Sequence, residues 1–368
     1  MARSLRWYLP EVLYEVTTRT IQERFLLRPG PDERACILGV LGRALALYQT
    51  IRLYAFVFLS NHAHLLLSAG DAGQIAPFIG HVNGHVARKM GERHGWRGPF
   101  WASRASVIPV LDEASHEGRL RYILSHGVKE GLVERPEEWP GASSTPALLG
   151  ERLTGRWPIR DGAAPHKARR SGPDATECAI PIAPLPAWRH LEPVERIRRV
   201  RALIEEIVAA HSRPVVLGAP AVCTQAPHDR PDAPSRNPAP RCHTATAALR
   251  RAYRRSYSAF AEAYRRVARS ERSPRELPGG CHLPGHSFVP PACQDPPWHL
   301  PAFVDGAGGD EPATNARVRA SPAARPGART PRPPPPRRAR ARPTAGTIHP
   351  LDLGLSPAEP ARARVSSA

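Results

Sequence analysis

Two strand-length apolar runs, Tyr54-Ala-Phe-Val-Phe-Leu59 and His62-Ala-His-Leu-Leu-Leu67, are separated by only Ser60 and Asn61. A two-residue connection admits little but a tight hairpin, so the two runs must pair antiparallel. Elements on either side extend this nucleus. Leu13 to Thr18 reads as a strand. Asp32 is placed to cap a helix whose Ile37, Leu38, Leu41, Leu45 and Tyr48 form one stripe. A helix from about Ala76 to His94, a strand from about Ala105 to Val110 and a helix from about Glu113 to Lys129, stopped by Gly131, complete the pattern.

The resulting order β-α-β-β-α-β-α predicts an α+β fold. It is the ferredoxin-like split βαβ arrangement, an antiparallel sheet with one further helix laid against it. Fold alone names no activity. The expected domain occupies residues 1–150. A Pro/Gly/Arg-rich linker is expected over 151–185, a basic helical extension over 186–291 and a disordered Pro/Arg-rich tail over 292–368. Proline supplies 43 of 368 residues, more than twice the roughly 5% of an average chain, which argues against one packed domain of this length. Runs such as Pro331 to Arg342 cannot bury enough apolar surface to offset chain entropy.

Within the extension, Leu191, Val194, Ile197, Val200, Ile204, Ile207 and Val208 recur at helical spacing. So do Leu249, Tyr253, Tyr257, Phe260, Tyr264 and Val267, interleaved with arginines. The expectation is that these aromatics pack against the first of the two helices, leaving the arginines for a polyanion.

Charge narrows the partner class. With 52 Lys+Arg against 33 Asp+Glu, the chain carries a formal +19, the balance of a nucleic-acid binder. No stretch approaches the roughly 20 apolar residues of a spanning helix, and Arg3, Arg6 and Glu11 interrupt any signal-peptide core. Neither membrane insertion nor secretion is expected. The six cysteines lack a C-x-x-C pair, compatible with a reducing cytoplasm.

Alternation along a strand sends the His62 and His64 rings to one face, a pair suited to a divalent metal, although two histidines on a half-exposed strand need bind nothing. Tyr122 and His126, four apart on the closing helix, share a face and can point together at the sheet. His81 and His85 are also four apart, but Val82 stands where the zinc-protease motif needs Glu. Arg88, Lys89 and Arg93 beside them are candidate phosphate contacts. Cys281, His282, His286 and Cys293 fit no standard zinc spacing.

Several segments together resemble the HUH single-tyrosine transposases of single-strand insertion sequences, and most closely the REP-associated tyrosine transposases. They are Met1 to Arg6 with Leu13-Tyr-Glu-Val-Thr-Thr-Arg19, Leu59-Ser-Asn-His-Ala-His-Leu-Leu-Leu67, Val82 to Arg88, Tyr122 to Val133, and Arg135-Pro-Glu-Glu-Trp-Pro140. The resemblance covers roughly residues 1–150, and the extension is similar to that of the longer members.

It implies cleavage and transfer of single-stranded or hairpin DNA by a bacterial, cytoplasmic enzyme of a mobile element. Tyr122 would be the nucleophile, forming a covalent 5′-phosphotyrosine. His62 and His64 would hold Mg²⁺ or Mn²⁺, and a homodimer is a common assembly. This sequence departs from the family at two places. His126 followed by Gly127 stands where an Asn and a Pro are usual, and Glu15 stands where many relatives carry His. His126 would then complete a three-histidine shell. The competing class is a domesticated, non-catalytic nucleic-acid-binding protein on the same fold. RNA binding through the sheet is disfavoured, because His62 and His64 occupy the place of the stacking aromatics.

Overall fold

The structure is a computed structural model that describes residues 5–158, 175–231 and 240–270, with side chains over 5–157, 175–231 and 240–266. The 292–368 tail and the Cys281–Cys293 cluster lie outside the described residues.

The four-stranded sheet has the order β2-β3-β1-β4, with every neighbouring pair antiparallel. Its strands are β1 (Leu13–Arg19), β2 (Ile51–Phe58), β3 (His62–Ala69) and β4 (Ser106–Val110). Helix α1 (Pro31–Leu47) links β1 to β2, α2 (Ile75–His94) links β3 to β4, and α3 (Glu113–Lys129) follows β4. This is the ferredoxin-like split βαβ order read from the sequence. The expected hairpin closes tightly, with the Leu59 amide donating to the His62 carbonyl at 2.8 Å. One local expectation fails. Gly30, not Asp32, precedes α1 as its N-cap, and Pro31 opens the helix. Asp32 lies in the first turn, where its charge still favours the helix N-terminus, and it pairs with Arg93 at 3.0 Å.

The two faces of the sheet support separate cores. On one, Val16, Phe56, Phe58, Leu65 and Leu67 meet Ile37 and Leu41 of α1 and Phe78, Val82 and Val86 of α2. On the other, Leu13, Val57 and Leu66 meet Leu120, Ile123, Leu124 and Val128 of α3. Strand alternation divides the side chains between these layers, so residues two apart on β1 or β3 face the same helices.

Residues 151–185, expected as linker, instead hold two paired strands. These are β5 (Thr154–Pro158) and β6 (Ala175–Ala179), which lie on α1. Backbone meets backbone there. A Cβ at Gly39 would run into the Arg156 carbonyl, and one at Gly155 into the Leu38 carbonyl. Glycine is needed at both places to permit the approach.

The short α4 (Thr145–Leu148) follows a segment that shields the β2 edge, where the Phe58 amide donates to Ala142 O and the Ser144 amide to Phe56 O, both at 2.9 Å. Covering an edge in this way removes a template for unwanted strand pairing.

From the extension, α5 (Pro193–His211) buries Val200, Leu203, Ile204 and Ile207 against α3, and α6 (Ala219–Thr224) contributes Val222 to the same core. The second aromatic helix, α7 (Ala247–Ser270), goes elsewhere than expected. Its aromatics do not turn to α5. Tyr253 and Phe260 stack on Trp7 at 5.8 and 5.2 Å between ring centroids, and Tyr257 donates to Leu5 O at 3.2 Å. Their helical period could specify a buried stripe but not its partner.

Candidate metal and nucleophile site

Register brings the chemistry together. Thr17 of β1 pairs with His64 of β3 and Arg19 with His62, so Glu15, Thr17 and Arg19 share the face that carries both histidines. Helix α3 crosses that face. Its 119, 122, 126 and 129 positions form one stripe, which presents Arg119, Tyr122, His126 and Lys129 to the sheet in a cleft of about 580 Å³. The helix is held at its start by Asp112, whose carboxylate accepts from the Ser115 amide at 2.8 Å and from the Ala245 amide at 2.9 Å.

The three imidazoles form a cluster. Ring centroids are 5.2 Å apart for His62–His64, 4.4 Å for His64–His126 and 5.5 Å for His62–His126. One nitrogen from each lies within 4.8 Å of the others, and no other such group of three His, Cys, Asp or Glu occurs among the described residues. The Tyr122 ring sits beside it, 4.4 Å from His126 and 5.5 Å from His64. Thus the four residues singled out in the sequence converge.

Hydrogen bonding leaves a consistent atom free. His62 Nδ1 bonds Asn61 Oδ1 at 2.6 Å, His64 Nδ1 bonds Glu15 Oε1 at 3.0 Å, and His126 Nδ1 bonds the Tyr122 carbonyl at 2.7 Å. An oxygen acceptor at Nδ1 fixes the proton there and leaves the lone pair on Nε2, the arrangement that outer partners impose on metal-binding histidines. Among the described residues His64 Nε2 is buried without a hydrogen-bond partner, a state that costs free energy unless something occupies it.

Burial chiefly, with the neighbouring rings, holds His62 well below the ordinary imidazole range and His126 down to about 3. Burial also lowers His64 despite Glu15. All three are therefore neutral near pH 7, as metal ligation requires. Nitrogen donors at this spacing fit a divalent transition ion better than Mg²⁺, which prefers oxygen.

Glu15 organises the site from behind. Burial would push its carboxyl up, but hydrogen bonds and charge from His243 and His64 outweigh it and hold the group well below the usual carboxylate range. Oε2 lies 2.7 Å from His243 Nε2 and 3.5 Å from the Arg119 guanidinium. The segment carrying His243 runs along the β4 edge, with its amide donating to Pro109 O at 2.8 Å and its carbonyl accepting from Leu111 at 2.9 Å. Arg119 and Lys129 also flank the phenol, 4.6 and 5.2 Å from the Tyr122 ring centroid.

Sequence reasoning named Glu15 only as a departure and did not find Arg119, Lys129 or His243. The helical stripe through Tyr122 and His126 carried the signal for the first two. His243 had none, because its place depends on a tertiary edge pairing.

Arg88, Lys89 and Arg93 are not brought to this cluster. They lie on α2, which covers the opposite face of the sheet. Arg88 bonds His85 at 2.6 Å, the Lys89 ammonium is 5.0 Å from the Trp157 ring centroid, and Arg93 pairs with Asp32. His81 and His85 stack against each other at 4.3 Å, beside Trp157.

No protein-family model matches the chain, and no curated protein matches it. Solved structures similar to it include the following two. One is a REP-associated tyrosine transposase bound to a REP hairpin, with 17% identity over 39% of this chain and 82% of that one and a TM-score of 0.34. The other is a candidate transposase from Deinococcus radiodurans, with 21% identity over 33% of this chain and 95% of that one and a TM-score of 0.25. Among the described residues no helix is long and apolar enough to cross a membrane.

Proposed function

We propose that the chain is a metal-dependent transposase that cleaves and rejoins single-stranded or hairpin DNA through Tyr122. The observation that carries this reading is the placement of the Tyr122 ring beside His64 and His126, within a cluster of three neutral imidazoles whose nitrogens converge. His62, His64 and His126 would hold a divalent cation, Mn²⁺ in preference to Mg²⁺. Bound there, it would supply positive charge against the phosphate oxygens and so ease attack at phosphorus.

The protein's own contribution is positional and electrostatic. Tyr122 Oη attacks phosphorus, the bond from phosphorus to the 3′ oxygen breaks, and a 5′-phosphotyrosine and a free 3′-hydroxyl result. The phenolic proton is released and the departing oxygen gains one, so the step is balanced without ATP and is reversible. Arg119 and Lys129 stabilise the negative charge that gathers on the nucleophile and phosphate. Glu15 and Asn61 keep His64 and His62 in the ligating tautomer.

The test is incubation of the full chain with single-stranded DNA and Mn²⁺, followed by a denaturing gel. A covalent protein–DNA adduct that disappears in Tyr122→Phe supports the reading. Binding without an adduct would replace it with the non-catalytic DNA-binding alternative.

A further inference from the structure

A second cleft, of about 300 Å³, opens next to the His–Tyr cleft. The two adjoin, since Ser103, Arg104, Ser106, Ile108 and Pro240 border both. The second cleft is walled by aromatic groups. Trp7 stands in it, held by its stacking on Tyr253 and Phe260 at interplanar angles of 26° and 13°. Tyr257 forms another part of the wall, with the Arg241 guanidinium 5.6 Å from its ring centroid.

Two polar atoms of lining residues, Arg6 Nε and the Tyr8 hydroxyl, are buried with no hydrogen-bond partner among the described residues. Leaving such groups unsatisfied is costly, so each calls for a partner. The walls therefore specify a ligand. It must be able to stack on an aromatic wall, must carry hydrogen-bonding edges for an N–H donor and a hydroxyl, and must tolerate Arg104 and Arg241 at the rim. A nucleobase with its phosphate meets all three requirements.

We propose that this cleft receives one unpaired nucleobase of the DNA strand whose phosphodiester enters the adjoining His–Tyr cleft. The inference rests on the reading of that site as a single-strand transposase centre and adds base recognition to it. Trp7 comes from the N-terminal segment and Tyr253 and Tyr257 from α7, so the extension acts as half of a reading head. Sequence preference at one nucleotide would then be set by Arg6 and Tyr8, while the rim arginines grip the backbone irrespective of base.

The experiment uses the full chain and a fluorescein-labelled hairpin taken from DNA flanking the gene, with single-stranded arms in which each nucleotide in turn is made abasic. Base–aromatic stacking implies a loss of roughly tenfold in affinity at one or two positions of an arm. Tyr8→Phe keeps the ring and deletes only the unpartnered hydroxyl. It should retain the melting temperature yet abolish discrimination among the four bases at the sensitive position. Arg241→Ala, at an exposed residue, should weaken binding for every base.

Equal sensitivity at all positions, or intact base discrimination in Tyr8→Phe, overturns the inference. Adduct formation is scored in parallel. An adduct without a sensitive position removes the base cleft and leaves the Tyr122 reading standing. A sensitive position without an adduct does the reverse, and absence of binding removes both.

Discussion

His243 Nε2 lies 2.7 Å from Oε2 of Glu15, so a residue of the extension closes the site from behind the first strand. The same carboxylate accepts from His64 Nδ1. Glu15→Gln preserves shape but removes the charge that orients the ring. Mn²⁺ affinity, measured by isothermal titration, should fall by roughly ten- to hundredfold, the usual effect of losing an outer partner. Unchanged affinity would show that Glu15 does not support ligation.

The three-nitrogen donor set makes a second expectation about metal choice. Mn²⁺ should bind more tightly than Mg²⁺, and Zn²⁺ more tightly than Mn²⁺, following ligand softness and the order of divalent affinities. His126→Asn restores an oxygen donor and should narrow the gap between Mn²⁺ and Mg²⁺. Competition titrations on the two proteins decide the point.

Stability should depend on pH through the same imidazoles. An unfolded histidine takes up its proton near 6.5, whereas folded His126 does so near 3. Between these values the unfolded chain binds more protons, so stability falls as pH drops from about 6.5 towards 3 and returns as pH rises. Glu15 acts in the same direction at the acid end. Its folded pKa lies below the ordinary 4.5, so the stability it contributes above that value is lost on further acidification. Metal-free melting temperatures should decline from pH 7 to pH 4.5, and His126→Gln should flatten the slope. An identical slope in the variant would exclude His126 as a source.

Much of this was legible in the sequence because it is local. The hairpin at Ser60-Asn61 sets the pairing of β2 with β3, and period two on β3 puts His62 and His64 on one face. Period 3.6 on α3 does the same for Tyr122 and His126. What escaped depends on contacts without a periodic signature. The β5–β6 pair rests on α1 through Gly39 and Gly155, so its packing is carried by backbone rather than by an apolar pattern. His243 reaches Glu15 by an edge pairing with Pro109 and Leu111. The stripe on α7 was visible, but no periodic pattern ties it to its target, Trp7, which lies far earlier in the chain.

Gly127, immediately after His126, should be intolerant of a side chain. A Cβ there would lie 2.9 Å from Val133 Cγ2 and 3.4 Å from Trp139 Cε3. Trp139 cannot readily yield, being buried with its indole N–H donating to Phe58 O at 3.0 Å. Gly127→Ala gains helix propensity of roughly 1 kcal/mol but overpacks a filled core, a cost of about 1–3 kcal/mol. Urea unfolding should therefore show no gain or a net loss. Stabilisation by the full propensity term would show that Trp139 and Val133 give way freely.

The two sets of cations should separate by face. Lys129 and Arg19 border the His–Tyr cleft, whereas Arg88, Lys89 and Arg93 sit across the sheet on α2, where Arg93 is already paired with Asp32. Direct phosphate contact releases counterions, so removing a contacting lysine lowers the salt dependence of binding by about one counterion. Lys129→Ala should do this on single-stranded DNA, and the Arg88→Ala, Lys89→Ala, Arg93→Ala triple variant should change the slope less. A larger change in the triple variant would move the DNA path to α2 and leave the imidazole cluster off it.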